Sequence, residues 1–437
     1  MSVDERELIE YVTEQRWYGA KSRGVVHAEV VDSVELRVEA PQLVLALVEV
    51  RYETGAHDLY QVLFSPGQSQ DESVARELVA AMGSGLTLRG GQGAVEFRRV
   101  EVFAALDLEP GPARVLSAEQ SNTSVAFGDE MILKIFRRLE PGLNPELELL
   151  QFLSSHGFAN VAALGGWYAY AGEPLNATLG ILQAFIPDAR DGWELALDEL
   201  ASDPGAFLER VGRLGEVTAE MHTVLASHDS DPAFAPETPS VEALGLLTAT
   251  VDEEIAQVFL ELPDDERVAP IAGRAEEVRD HLQALTHAGG TGMSIRTHGD
   301  YHLGQTLWSG NDWVILDFEG EPARTFAERR RKRSPLRDVA GMLRSFAYAS
   351  IAAQLRGATV PAEWEAGARE RFLDAYLANV DPALLPPGHD ATERLLSVFE
   401  LEKAVYELRY ELDNRPDWVG IPVAAIQRLI ESSAPAR

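Results

Sequence analysis

The sequence predicts an α+β fold in which two β-rich segments precede a larger, mostly helical part. Three observations predict it. Residues 1–110 carry a short helix signal and then apolar residues at every second position, the period of a strand with one buried face. From Ala113 the order becomes strand, turn, strand, helix and strand again. Beyond Pro187 the apolar spacing lengthens to that of helices.

Each element follows from local chemistry. "LVLALVEVRYE" (43–53) and "LYQVLFS" (59–65) flank "TGAHD", which predicts a hairpin closed by a glycine-containing loop. The "RGGQG" run (89–93) reads as a loop ahead of a further strand, "AVEFRRVEVF". "ARVLSAEQSNTSVAFGDEMILKIF" (113–136) supplies two strands, a helix follows over 145–155, and "TLGILQAFI" (178–186) is an apolar strand. In "FLERVGRLGEVTAEMHTVL" (207–225), Phe207, Val211, Leu214, Thr218, Met221 and Leu225 recur at spacings of four and three, one buried stripe of a helix. His222 sits on that stripe and is expected to serve the core rather than chemistry. The Pro- and Asp-rich "SHDSDPAFAPETPS" (227–240) breaks the helical period and reads as an exposed connection. The resulting segments are 1–110, 111–186 and 187–437, since a chain of this length exceeds one hydrophobic core.

Composition removes several function classes. With 46% hydrophobic and 25% charged residues the chain is globular, and no run approaches the ~18 apolar residues of a membrane span. The opening "MSVDERELIEY" lacks the apolar core of a signal peptide. Cysteine is absent, which excludes disulfides, thiolate nucleophiles and Cys-bound zinc, and a cytoplasmic location is expected. A formal charge of -32 disfavours nucleic acid as a partner. A monomer acting on a small molecule, away from membranes, is the expectation.

The densest chemistry lies in "RTHGDYHLGQTLWSGNDWVILDFEGEP" (296–322). Phosphoryl transfer needs a positioned hydroxyl, a metal bridging phosphates and cations for the developing charge. Protein kinases supply an Asp, an Asn five positions later and a second Asp after the next strand. Here Asp300 fills the first slot, as acceptor of the hydroxyl proton. Gln305 stands at the +5 position, and Asp317 ends "WVIL". Glu319 adds a carboxylate two residues on. These are the hard oxygen ligands that Mg2+ prefers. Taken singly, Asp300 and Asp317 read as turn residues; their joint spacing favours chemistry. His298 is expected to hold the loop, whereas His302 is a candidate to face the acceptor.

Upstream, Lys134 lies inside "MILKIF", where an unpaired ammonium is costly to bury. The helix "NPELELLQFL" offers Glu146 and Glu148 as its partner, and Glu148 is preferred because it turns Leu149 and Phe152 toward the sheet. In "EQSNTS", Ser121 and Thr123 are candidates to cover nucleotide phosphates. Gln183, Ala184 and Phe185, where the strand meets "IPDARDGW", are expected to form a hinge whose backbone reads adenine. No G-x-x-x-x-G-K-[ST], G-x-S-x-G or H-E-x-x-H motif competes.

The stretches "QRWYGAKSR", "HGDYHLGQ", "DFEGEPA", "FAERRRKRSPLRDVAGMLRSFAYA" and "YELRYELDNRPDWVGIP" closely resemble actinobacterial maltokinases and their glucosamine kinase relatives. These are similar in turn to aminoglycoside phosphotransferases, which have a bilobal protein-kinase-like fold. The resemblance implies an N-terminal cap subdomain (1–110), an intermediate ATP-binding subdomain (111–186) and a helical C-terminal lobe (187–437). It also implies transfer of the γ-phosphate of ATP to a sugar hydroxyl with Mg2+, the catalytic aspartate at Asp300, metal ligands at Gln305 and Asp317, and the nucleotide lysine at Lys134. The basic run 329–333 lies within one of these motifs and is expected to support the lobe or the anionic site. Asp338 is expected to cap amides where the next helix starts. Family members divide between maltose and glucosamine as acceptor. Glu407 and Glu411 share one helical face, with Trp418 just beyond, and could hold a sugar ammonium and stack on its ring. A solvated ladder from Lys403 to Glu407 is the alternative. Glucosamine is therefore favoured slightly over maltose, with an aminoglycoside as a third candidate.

Overall fold

The computed structural model describes residues 5–21, 23–39, 42–64, 71–100, 112–116, 122–227, 230–286, 291–322 and 324–432. The chain divides into two compact units. The first comprises residues 1–155, 161–188 and 322–329, and the second comprises 156–160, 189–321 and 330–437.

The first unit runs α1 (Glu5–Glu14), β1 (Val25–Arg37), β2 (Leu43–Tyr52), β3 (His57–Phe64), α2 (Asp71–Gly83), β4 (Thr87–Arg89), β5 (Gly93–Arg99), β6 (Ala113–Leu116), β7 (Asn122–Phe127), β8 (Met131–Phe136), β9 (Arg138–Leu139), α3 (Pro145–Ser155), β10 (Leu164–Gly172) and β11 (Asn176–Ala184). The expected hairpin is present: β2 and β3 pair antiparallel from Val44 opposite Phe64 to Arg51 opposite His57. Two antiparallel sheets result, one in the order β1-β2-β3-β9 and one in the order β4-β5-β10-β11-β8-β7-β6. β4 and β5, which precede residue 110, thus belong to the same sheet as the strands after it. Leu43, Leu45 and Leu47 of β2 pack with Leu133 and Ile135 of β8 in one shared apolar core. The opposite side of β2, through Ala46, Val48 and Val50, covers Leu8, Val12 and Trp17. This is the alternation that period-two patterning demands.

The "RGGQG" loop joins β4 to β5, and its amides are already occupied. Asp32 accepts from Gly91 N (2.7 Å), Gln92 N (3.0 Å) and the Tyr170 hydroxyl (2.6 Å). Burial raises the pKa of this carboxyl, and those donors outweigh burial and hold it below its usual range. Gln61 joins the two sheets in a similar way. Fully buried, it donates to the carbonyls of Phe136 (2.9 Å) and Leu179 (2.8 Å) and accepts from the Tyr168 hydroxyl (2.8 Å).

The second unit contains β12 (Arg190–Asp191), α4 (Gly192–Ser202), α5 (Pro204–Leu225), α6 (Val241–Leu260), α7 (Ala275–Thr286), β13 (Thr306–Ser309) and β14 (Asp312–Ile315). After α8 (Phe326–Arg329), which lies in the first unit, it continues with α9 (Leu336–Leu355), α10 (Trp364–Asn379), α11 (His389–Asn414) and α12 (Gly420–Ser432). Every residue of the α5 stripe named above is fully buried. A second apolar core gathers Val251 and Ile255 of α6, Leu282 of α7, Leu401 and Leu408 of α11, and Ile426 of α12. β12, β13 and β14 form a small antiparallel sheet that carries the segment around Asp300. Among the described residues, no helix is long and apolar enough to cross a membrane.

Replacing Gln61 by Leu keeps the volume but leaves two buried carbonyls and a hydroxyl unsatisfied. We expect the Gln61→Leu variant to be destabilised by about 2–4 kcal/mol in a urea titration. An unchanged midpoint refutes the clamp.

Candidate active site

The segment 296–305 has few regular bonds of its own, and its shape is imposed by neighbours. Asp338, buried in the first turn of α9, accepts from the backbone N–H of His298 (2.8 Å) and of Gly299 (3.0 Å). The same carboxylate meets His222 Nε2 at 3.1 Å, while His222 Nδ1 contacts the Tyr376 hydroxyl at 3.0 Å. His222 is therefore a core residue, as its place on the α5 stripe predicts. Asp338 does bind amides, but those of the loop across from it and not those of its own helix. Burial alone pushes this carboxyl up; the hydrogen bond and charge of His222 and the Gly299 N–H outweigh it and hold it below the ordinary 3.8.

His298 carries the constraint onward. Its Nδ1 accepts from Asp300 N (3.4 Å), so the proton sits on Nε2, which donates to the Leu316 carbonyl at 2.7 Å. It thus holds the loop, as expected, and ties it to the residue before Asp317. Asp317 has φ +57°, a left-handed conformation uncommon for a residue with a side chain. Gly299 and Gly320 both have positive φ, and a Cβ on Gly299 would lie 3.2 Å from the Cα of Gly320. On the other flank, a Cβ on Gly341 of α9 would stand 2.6 Å from the Tyr301 carbonyl oxygen. Small residues are what let these backbones meet.

Around Asp300 the charges are close-set. Lys403 Nζ lies 3.7 Å from Asp300 Oδ1 and 4.0 Å from Glu321 Oε1. Burial lowers the lysine pKa, yet Asp300, Glu321 and Glu407 together raise it above its ordinary value, so the amine stays cationic. This overturns the solvated Lys403 ladder and adds a residue that sequence spacing did not single out. His302 Nε2 is 4.0 Å from Asp300 Oδ2, and its Nδ1 accepts from Gly304 N at 3.1 Å. Packing pushes the imidazole below its usual pKa. A neutral ring whose Nδ1 is an acceptor carries its proton on Nε2, so His302 can donate toward an acceptor hydroxyl but cannot be its base. Gln305 Nε2 donates to Asp317 Oδ2 at 3.2 Å, and carboxylate oxygens of Asp317 and Glu319 lie within 4.8 Å of each other. These all-oxygen donors fit a hard divalent cation.

The acceptor-side expectations also cluster. Glu407 receives both Nε (2.9 Å) and Nη2 (2.8 Å) of buried Arg344. Glu411 accepts from the Tyr348 hydroxyl (3.1 Å) and Arg415 (2.6 Å) through Oε1, whereas its buried Oε2 has no hydrogen-bond partner. Burial raises the Glu411 pKa. Trp418 stacks on Tyr348, with centroids 6.1 Å apart, under the Arg415 guanidinium. The run 329–333 supports the fold, as expected. Arg329 binds the carbonyls of Arg324 and Pro322, and Lys332 binds Glu237 and the Pro232 carbonyl.

In the first unit, two expectations are corrected and a third is narrowed. Lys134 pairs with Glu146 at 2.9 Å, where the sequence reading prefers Glu148. The apolar residues of α3 cannot discriminate between them, because Leu147, Leu149, Leu150, Phe152 and Leu153 are all buried, right round the helix. Two residues apart, the glutamates point to opposite sides, and Asn144, whose side chain accepts from Glu146 N (2.7 Å), starts the helix with Glu146 toward the lysine. Thr123 is not in a loop: it lies buried in β7, with its hydroxyl oxygen accepting from Arg137 Nε at 2.8 Å. Ser121 lies outside the described residues. At the expected hinge, the amide of Ala184 donates to Ala163 O (2.8 Å) and that of Phe185 to Glu130 O (2.9 Å). Each residue has one backbone donor, so at these two positions only carbonyls are left for a base. Gln183 pairs within the sheet, opposite Leu164 and Ile132.

Comparison with known proteins agrees with this chemistry. The phosphotransferase enzyme family matches residues 112–384, and the maltokinase N-terminal cap domain matches residues 11–90. A glucosamine kinase of Streptacidiphilus jiangxiensis is 29% identical over 434 residues, covering 89% of this chain and 96% of that one. A glucosamine kinase of Mycolicibacterium smegmatis is 28% identical, covering 73% and 79% respectively. A solved glucosamine kinase in complex with glucosamine, ADP and inorganic phosphate superimposes with a TM-score of 0.73 at 22% identity, over 93% of this chain and 95% of that one. The α+β, protein-kinase-like fold read from the sequence stands.

Two measurements probe the loop scaffold. Asp338→Asn should cost about 2–4 kcal/mol near neutral pH, because buried amides and His222 lose a charged acceptor. A lowered pKa stabilises above the ordinary 3.8 and is lost as pH falls through the folded value, so the gap to the wild type should narrow as pH falls below 3.8. A pH-independent gap counts against the assignment. Gly341→Ala should gain roughly 1 kcal/mol of helix propensity yet lower turnover about 10-fold or more by displacing Tyr301. Full activity would mean that the close approach is irrelevant.

Proposed function

The chain belongs to the phosphotransferase enzyme family, and from that premise we propose that it is an ATP-dependent sugar kinase that phosphorylates D-glucosamine to glucosamine 6-phosphate. The observation that carries the reading is the placement of Asp300 next to Lys403 and His302, one loop away from the Gln305 and Asp317 pair. Asp300 accepts the proton of the acceptor hydroxyl, while the His302 Nε2–H, 4.0 Å from Asp300 Oδ2, orients that oxygen. Lys403 offsets negative charge around the reacting oxygen. Magnesium, when bound, neutralises the phosphates, and Asp317, Glu319 and the Gln305 amide oxygen are the groups that would hold it. In the first unit, Lys134, kept in place by Glu146, is the cation for the nucleotide phosphates.

For the acceptor, the unpartnered Glu411 Oε2 supports a cationic sugar. A buried carboxylate oxygen without a donor is costly, and a sugar ammonium supplies both charge and N–H groups. Trp418 and Tyr348 offer the flat apolar surface on which a pyranose stacks. The names of the two relatives point the same way. Maltose is the competing acceptor because of the match to the maltokinase cap domain. The lack of cysteine fits a reducing compartment, so we place the reaction in the cytoplasm, carried out by a monomer.

An ADP-release assay with Mg2+ and ATP compares glucosamine, maltose and kanamycin. Glucosamine should give the largest kcat/KM, Asp300→Asn should lower kcat about 10²–10⁴-fold with an unchanged melting temperature, and Glu411→Gln should raise KM for glucosamine more than for glucose. A preference for maltose or kanamycin would refute the acceptor. Full activity of Asp300→Asn would refute the mechanism.

A further inference from the structure

The motif "QRWYGAKSR" (15–23) has no part in the chemistry above, yet it builds a cavity of about 600 Å³ within the first unit. Arg16, Lys21, Arg23 and Arg138 line it, and Asp58 is the one acidic residue among them. Trp17, Tyr18 and Tyr60 form its aromatic wall, with the Trp17 and Tyr60 rings 5.6 Å apart. In a chain with 70 acidic and 38 basic residues, such a gathering of cations makes a local patch of positive potential that attracts anions.

Part of the cavity is fixed by internal bonds. Asp58 accepts from Arg138 Nε (3.1 Å) and Nη2 (2.9 Å) and from the Tyr52 hydroxyl (2.8 Å), with Arg23 at 3.8 Å. Tyr52 in turn contacts the Tyr60 hydroxyl at 3.3 Å. This network orients two arginines, and the single Asp58 carboxylate offsets only one of their two charges. Arg16 and Lys21 have no carboxylate partner among the described residues. The Tyr18 hydroxyl, though nearly fully buried and close to Tyr52, meets hydrogen-bond geometry with no partner. One buried hydroxyl without a partner and two exposed cations without a carboxylate therefore line the same cavity.

We propose that this cavity is a binding site for a small phosphomonoester of sugar-phosphate size. Guanidinium forks match phosphate oxygens in pairs, and a phosphomonoester brings nearly two negative charges near neutral pH. The volume falls in the range of metabolite pockets, about 300–1,000 Å³, and exceeds the needs of bare phosphate. The aromatic wall receives the carbon skeleton. The cavity is too small for a polynucleotide, which the overall acidity also repels.

Calorimetric titration of the full chain without nucleotide, at constant ionic strength, tests this with glucose 6-phosphate, inorganic phosphate and glucose. Glucose 6-phosphate should bind saturably and at least about 5-fold more tightly than inorganic phosphate, and glucose should not bind at this site. The double variant Arg16→Gln/Lys21→Gln should weaken that binding about 10-fold or more with an unchanged melting temperature. Tyr18→Phe, which keeps every charge, should weaken it about 3-fold. Asp300→Asn should leave it intact, which separates this cavity from the phosphate positions of the reaction. No saturable binding, equal affinity for inorganic phosphate, or equal affinity in the double variant would each overturn the proposal.

Discussion

One buried carboxylate, Asp338, sets the geometry on which the second unit's chemistry depends. Burying an unpaired carboxylate is among the costlier things a protein does, and Asp338 is tolerable only because two loop amides and His222 converge on it. That convergence runs in both directions. The loop gains a fixed shape because the carboxylate needs its N–H groups, and α5 is tied to α9 because His222 completes the set. His298 then passes the restraint to Leu316, so the left-handed backbone of Asp317 is held by a bond that starts at the same cluster. Backbone strain of this kind persists only where neighbours over-determine it.

The placement of cations follows the same economy in both units. Lys134 is buried with Glu146, and Lys403 lies against Asp300 and Glu321. Each lysine faces a carboxylate, and at Lys403 the surrounding acids raise the pKa and keep the amine protonated. In a chain of net charge -32, isolated cations would bind whichever surface acid is nearest. Pairing in partly desolvated positions keeps them local and strengthens their field. It also gives Asp300 a neighbour that restrains its rotamer.

Much of this was legible in the sequence because it is periodic or local. The buried stripe of α5, the hairpin of β2 and β3, and the grouping of Asp300, Gln305 and Asp317 follow from spacings of a few residues. What failed depended on partners far along the chain. Thr123 looked like a loop residue because "EQSNTS" is rich in turn formers, but pairing with β8 draws it into a strand. At the expected hinge, nothing near Ala184 or Phe185 in the sequence signals that Ala163 and Glu130 accept from their amides. Lys403 reaches Asp300 across about a hundred residues, and no local signal marks that contact. Glu146 and Glu148 are two positions apart in a helix buried on all sides, so amphipathicity carries no information about which one faces the lysine.

The acceptor question comes down to desolvation. Glu411 is buried, its pKa is raised chiefly by burial, and one oxygen lacks a donor although Arg415 and Tyr348 serve the other. An uncharged disaccharide would offer that oxygen hydroxyls but no positive charge to offset a buried anion, a poor match in a low-dielectric site. A sugar ammonium reverses the balance, because it favours the ionised carboxylate and so lowers the pKa that burial had raised. Binding and ionisation are then linked. As pH falls, protonated Glu411 must release its proton before the ammonium can pair with it, so affinity for an amino sugar weakens on the acid side while affinity for a neutral sugar changes little. The proposed preference for glucosamine therefore rests on the electrostatic state of one side chain.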